Sequence, residues 1–308
     1  MSPKGIFSAA LTIINTKMDS SVGNTARKGA GLMVEGLKSI LIGFSHDDER
    51  PSFALRYGLS LARQAEAHAS ICALTPEMTV THAFVSNVAS GLVAAENQRL
   101  HEASKAAVEL ARQEATAAGV GCNVDVLQRH YPELAASLAV RTRVHDITVL
   151  DAEPDPLSLG RGFLEEALFN GGRPLLIVPQ GFETFEPGRI VVAWDGSVRA
   201  TRAVHDALPL LRAAEQVEIL SVSGEKDLSS TGADLAPHLT RHGVNCTVKE
   251  LGVQNGDAGE TIRSQIGLFK ADMVVMGGFV HSRWRQLVLG GVTQSMLKAS
   301  PVPLLLSY

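Results

Sequence analysis

GVGCNVDVL (residues 119–127) and GVNCTVKEL (residues 243–251) read as one segment written twice. Two further echoes follow in the same order, HDITVL (145–150) with ADMVVM (271–276) and RPLLIVP (173–179) with VPLLLSY (302–308). Chance gives one such echo readily and three in order hardly at all, so the chain reads as a duplicated unit. Between the echoes, short β-rich runs alternate with helical stretches, the rhythm of a parallel sheet covered by helices on both faces. The first copy predicts strands over 39–44, 69–74, 122–127, 146–150 and 174–178, with helices over 51–67, 86–118, 132–143 and 162–169. The second predicts strands over 189–194, 217–222, 246–251, 272–276 and 303–307, with helices over 197–212, 233–241, 258–269 and 293–299. Each copy is therefore expected to be an α/β unit of Rossmann-like type, a five-stranded parallel sheet with helices on both faces.

Length agrees with duplication, because 308 residues suit two domains of about 100–200 residues each. Residues 1–32, rich in Ser, Gly, Thr and Ala and without sustained period, read as a flexible extension, with Met18 and Met33 as alternative translation starts. Residues 33–182 then form the first domain and 183–308 the second, joined by the linker Gln180–Gly188. Hydrophobic residues make up 45% and charged residues 19% of the chain, which excludes a mainly disordered protein. A net charge of -4 offers no field that would draw the chain onto nucleic acid or anionic lipid.

No apolar run is long enough to span a membrane, and the short run Ile6–Ile14 lacks a signal-peptide cleavage pattern. Cys72, Cys122 and Cys246, without C-x-x-C spacing, encode neither a disulfide framework nor a zinc site and read as buried strand residues. A cytoplasmic location is the expectation.

In an open parallel sheet, ligands sit beyond the carboxyl ends of the strands where strand order reverses. In the second copy that place receives Asp195-Gly196-Ser197 and the stretch MGGFVHSRWRQLVLGGVT, residues 276–293. An acid here accepts hydrogen bonds from ribose hydroxyls. Two glycine pairs frame His281, Ser282, Arg283 and Arg285, and Gly290-Gly291 lead into a helix start, where exposed N–H groups and the helix dipole attract an anion. A nucleotide phosphate fits this chemistry.

With these residues in place, the chain resembles the universal stress protein family in its tandem two-domain form, over residues 37–308. The resemblance implies the adenine nucleotide alpha hydrolase-like fold and a G-x2-G-x9-G-[ST] motif on Gly277, Val280, Gly290 and Gly291. It also implies that Asp195 holds the ribose and adenine side and that Val222 contacts adenine. Met276, His281, Ser282, Arg283 and Val292 complete the expected site, and Thr293 stands as a substitute hydroxyl. Val280 in place of glycine costs about 1–2 kcal/mol if a left-handed backbone is needed, and the hydroxyl missing at Gly291 about 0.5–1.5 kcal/mol. ATP or another adenine nucleotide should then bind one to two decades more weakly, roughly.

The first copy departs further. Ser45 stands where the second has Asp195, and the loop DAEPDPLSLGRG (151–162) carries Asp151, Glu153 and Asp155. Like charges about 4 Å apart repel by about 4 kcal/mol at an effective dielectric near 20, so no nucleotide is expected there. These acids read as a solvated loop, with a hard cation as the alternative. His238 and His242 have metal-ligand spacing but no third ligand, and no metal is expected.

The sequence lacks G-x-S-x-G, GxxxxGK[ST], H-E-x-x-H and a post-strand G-x-G-x-x-G, so weak ATP hydrolysis is the most catalysis expected. The functional expectation is a stress-response regulatory module binding ATP or AMP weakly in the second domain. The alternative is a nucleotide-free scaffold for partner proteins. The final strands 174–178 and 303–307 are apolar edges expected to pair with each other or with a second copy, the latter giving a homodimer.

Overall fold

Runs such as Ile40–Ile42 and Met273–Val275 are buried on both faces, which suits central parallel strands rather than the alternating pattern of a half-solvated sheet. The computed structural model describes residues 33–45, 52–79, 87–223, 232–278 and 291–308, so the extension 1–32 lies outside the described residues. The first half contains β1 (Ser39–Ser45), α1 (Phe53–Ala65), β2 (His68–Glu77), α2 (Asn87–Ala117), β3 (Cys122–His130), α3 (Tyr131–Thr142), β4 (Ile147–Asp151), α4 (Leu159–Asn170) and β5 (Leu175–Val178). The second contains β6 (Arg189–Ala193), α5 (Val198–Ala213), β7 (Gln216–Ser223), α6 (Gly232–Arg241), β8 (Cys246–Gly252), α7 (Ala258–Phe269), β9 (Met273–Gly277), α8 (Gly291–Ala299) and β10 (Leu304–Ser307).

The ten strands form one sheet in the order β3-β2-β1-β4-β5-β10-β9-β6-β7-β8. Within each half the strands are parallel, and the order reverses between β1 and β4 and again between β6 and β9. The halves repeat residue for residue in register. Ile40 pairs with Ala69 and Ile147 as Ile190 pairs with Val217 and Met273, and Cys122 sits opposite Ala69 as Cys246 sits opposite Val217. On this mapping Ser45 corresponds to Asp195, Leu74 to Val222 and Asp151 to Gly277.

The final strands pair with each other. Leu304, Leu305 and Leu306 lie antiparallel to Ile177, Leu176 and Leu175, so both strands are interior and neither leaves an edge for a second copy. One core, containing Leu61, Leu176, Val204 and Leu305, spans both halves on one face of the sheet, and a second, containing Leu138, Leu168, Ile266 and Leu304, spans them on the other. The expected linker is built into this body. Phe185 is fully buried, its ring edge-on to Tyr57 at 5.6 Å, while its N–H donates to Ser60 Oγ at 3.1 Å and its carbonyl accepts from Gln64 Nε2.

Two expectations are corrected. β2 and β3 run further than expected, because their pairing continues to Glu77 and His130. Of the three cysteines, Cys72 is buried, whereas Cys122 and Cys246 open the edge strands β3 and β8 and are half-buried.

Candidate functional site

In the second half, Ala193 pairs with Met276 at the ends of β6 and β9, which brings Asp195 and Gly277 to the reversal point of strand order. Ser197 Oγ caps α5 by accepting from the Ala200 N–H at 3.1 Å. Asp195 is therefore not the helix cap. Its Oδ1 accepts from the Ser197 N–H at 2.9 Å across Gly196, whose φ of 72° makes the turn. The other carboxylate oxygen of this exposed residue has no hydrogen-bond partner among the described residues.

Gly277 serves close packing. A Cβ there would stand 2.6 Å from the Ala200 nitrogen and 2.7 Å from the Arg199 carbonyl carbon, so the first turn of α5 rests directly on the end of β9. The next residue, Gly278, donates its N–H to the Ser307 carbonyl at 2.7 Å. Met276 is buried in β9, and Val222, near the end of β7, packs against the same core as partly buried Val292. Gly291 opens α8, and among the described residues outside its own turn no atom lies within 4 Å of where its Cβ would be. Thr293, the expected substitute hydroxyl, is buried at 3% exposure. Val280, His281, Ser282, Arg283 and Gly290 lie outside the described residues. Asp195, Val222 and Met276–Gly277 thus gather at the carboxyl edge of β6, β7 and β9.

The corresponding place in the first half holds a cavity of about 320 Å³. It is bounded by the ends of β1, β4 and β5, the start of α4, and the last turn of α8 from the other half. This cavity was invisible to the sequence reading, since α8 lies more than a hundred residues from β4 along the chain.

Two of its acids, Asp151 and Glu153, are not the solvated loop expected, whereas Asp155 is exposed. Asp151 is the last residue of β4, where Ser52 Oγ donates to its Oδ2 at 2.7 Å and the Ala54 N–H donates to its Oδ1 at 2.8 Å. Burial pushes its carboxyl above the usual carboxylate range, against the lowering effect of the Ser52, Ala54 and Phe53 hydrogen bonds. Glu153 lies over the first turn of α4. Its Oε2 accepts from Ser158 Oγ at 3.1 Å, and its Cγ is 2.6 Å from where a Cβ on Gly160 would stand. Asp155 Oδ1 accepts from the Leu157 N–H at 3.0 Å.

No group of three or more metal-ligating side chains exists among the described residues. The rings of His238 and His242 meet edge to face with centroids 4.6 Å apart, and Arg212 Nη2 lies 3.1 Å from His242 Nδ1, so the pair sits beside a cation. Among the described residues no helix is long and apolar enough to cross a membrane.

Residues 187–307 match the profile of the universal stress protein family, so the family likeness in sequence lies in the second half. No curated protein sequence matches the chain. Among solved structures, a universal stress protein from Archaeoglobus fulgidus DSM 4304 is 15% identical, with a TM-score of 0.67 over 90% of this chain and 97% of that one. A functionally unknown protein from Pseudomonas aeruginosa PAO1 is 14% identical, with a TM-score of 0.48 over 88% of this chain and 92% of that one. A universal stress protein solved in complex with cAMP is 18% identical, with a TM-score of 0.31 over 40% of this chain and 97% of that one. The Archaeoglobus structure shows that the two-half architecture is one that universal stress proteins adopt.

Proposed function

We propose that this chain is a stress-response regulatory module of the cytoplasm that binds an adenine nucleotide, ATP or AMP, weakly in its second half, without metabolic turnover. The observation that carries this reading is the state of Asp195. Because Ser197 caps α5, one carboxylate oxygen of Asp195 keeps its accepting capacity at the point where strand order reverses, the place open α/β sheets use for ligands. Ribose hydroxyls are donors of the right kind for that oxygen. The start of α8 at Gly291 presents the positive end of a helix dipole to a phosphate, and Arg283 and Arg285 of the preceding stretch add charge. Val280 and Gly291 keep the affinity low.

The nucleotide-free scaffold is favoured by one observation: Thr293 lies in the interior, so the hydroxyl missing at Gly291 is not restored two residues on. Titration calorimetry with ATP, ADP and AMP at millimolar concentration separates the readings. Heat with wild type that disappears in Asp195→Ala supports the nucleotide module. Absence of heat with all three nucleotides, or unchanged binding in Asp195→Ala, rejects it in favour of the scaffold.

A further inference from the structure

We propose that the cavity of the first half binds a small organic amine, a monocation with an aromatic or apolar body and no phosphate, and that Asp151 receives its ammonium group. The volume of about 320 Å³ falls within the range of small-molecule pockets. Phe44, Phe53, Leu74 and Phe163 give it apolar and aromatic walls, the lining that binds such a body and stacks on a ring. Asp151 lines the same space.

The carboxylate of Asp151 is held by Ser52 Oγ on one oxygen and the Ala54 N–H on the other, with the Phe53 backbone as a further donor. Its two oxygens offer about four lone-pair sites, so an acceptor position remains for a ligand. No cationic side chain pairs with Asp151 among the described residues. A carboxyl held above its ordinary range by burial gains most from a ligand that brings its own positive charge. The hydrogen bonds from Ser52 and Ala54 fix its orientation before the ligand arrives.

A phosphate is disfavoured by the same geometry. The N-terminal turn of α4, where an anion would be held, is already covered by the Glu153 carboxylate against Gly160. Lys298, exposed on the last turn of α8, lines the cavity and offsets one of the two carboxylates. Among the described residues the other leaves the lining acidic. The cavity therefore differs in kind from the second-half site at Asp195 and Gly277, and this proposal stands independently of nucleotide binding there.

The test uses the full chain and two ring-matched pairs, tryptamine with indole-3-acetate and tyramine with 4-hydroxyphenylacetate, in titration calorimetry at neutral pH. Each amine is expected to bind at least about tenfold more tightly than its acid, a difference of about 1.4 kcal/mol. Asp151→Asn should remove that preference. Ser45→Trp, which fills the mouth from β1 and keeps the carboxylate, should abolish binding of both amines with the circular dichroism of wild type retained. Asp195→Ala should leave amine binding unchanged and so separates this site from the nucleotide site. Equal binding of amine and acid, absence of amine binding at millimolar concentration, or a preference that survives Asp151→Asn overturns the proposal.

Discussion

Asp151 and Gly277 occupy the same register position in the two halves, the last residue of β4 and of β9, yet they meet the following layer in opposite ways. Gly277 lets the backbone of α5 come to rest on the strand. Asp151 extends a carboxylate that grips Ser52 and Ala54 at the start of α1. One duplicated position thus carries contact by absence of a side chain in one copy and contact through a side chain in the other.

Gly277→Ala should accordingly be costly. Its Cβ would meet α5 backbone at 2.6 and 2.7 Å, which only a shift of the helix relieves, and overpacking of that kind costs about 1–3 kcal/mol. Asp151→Ala should lose about 0.5–2 kcal/mol, the usual size of a cap contact, because Ser52 still accepts from the Leu55 N–H at 3.1 Å. Urea denaturation of both variants checks the order, and equal losses would show that the close approach at Gly277 does not matter.

Asp151 also gives a pH signature. A carboxyl whose pKa is raised on folding holds its proton more tightly in the folded chain than in the unfolded one. Its contribution to stability is then fully present below the unfolded pKa and is lost as pH rises through the folded value. The stability of wild type relative to Asp151→Asn should therefore fall as pH rises from the ordinary aspartate range, about 3.9, through the raised value of the folded carboxyl. A flat difference from paired denaturant titrations would contradict the buried setting of this carboxyl.

Much of this was readable before any coordinates, for identifiable reasons. Strands such as Ile40–Ile42 and Met273–Val275 are wholly aliphatic because both faces are covered, so strand position and parallel sense follow from the residues themselves. The echoes around Cys122 and Cys246 found the duplication because they occupy matching edge positions. The role of Asp151 was hidden, since an acid followed by Ala-Glu-Pro-Asp reads as loop charge until the pairing with Val178 places it in a strand. The first-half cavity was hidden too, because α8 closes it from the far end of the chain. For the second-half site, residue types and their gathering at the strand ends were legible. The interior position of Thr293 depends on how α8 is rotated, which a short helix does not announce.

Gly291 offers a gain of function that follows from open space. Among the described residues outside its own turn nothing lies within 4 Å of where its Cβ would be, so Gly291→Ser adds a hydroxyl at the first turn of α8 without displacing any of them. A hydrogen bond contributing about 0.5–1.5 kcal/mol should tighten ATP binding about two- to tenfold. Calorimetry against wild type measures it, and an unchanged or weakened affinity would argue that no phosphate approaches this turn.

The thiols should separate by reactivity. Burial pushes Cys72 up despite Arg141 Nη1 at 3.1 Å from its Sγ, so little thiolate forms, while Cys122 and Cys246 are half-exposed. Under native conditions iodoacetamide should modify Cys122 and Cys246 first, as read by peptide mass spectrometry. Early labelling of Cys72 would mean that the inner strands β1 and β2 open readily.

The joined sheet finally predicts how the chain unfolds. β5 and β10 pair across the seam, both cores run through the two halves, and Phe185 of the connecting segment is locked on α1 by Tyr57, Ser60 and Gln64. Two halves tied in this way should melt in one cooperative calorimetric transition rather than two. Phe185→Ala removes a fully buried ring and should cost about 3–5 kcal/mol, by transfer and by the cavity left behind. If the contact is what couples the halves, the variant should split the single transition or lower it as one. A wild-type melt already resolved into two steps would place the seam among the weakest contacts of the sheet and refute the coupling.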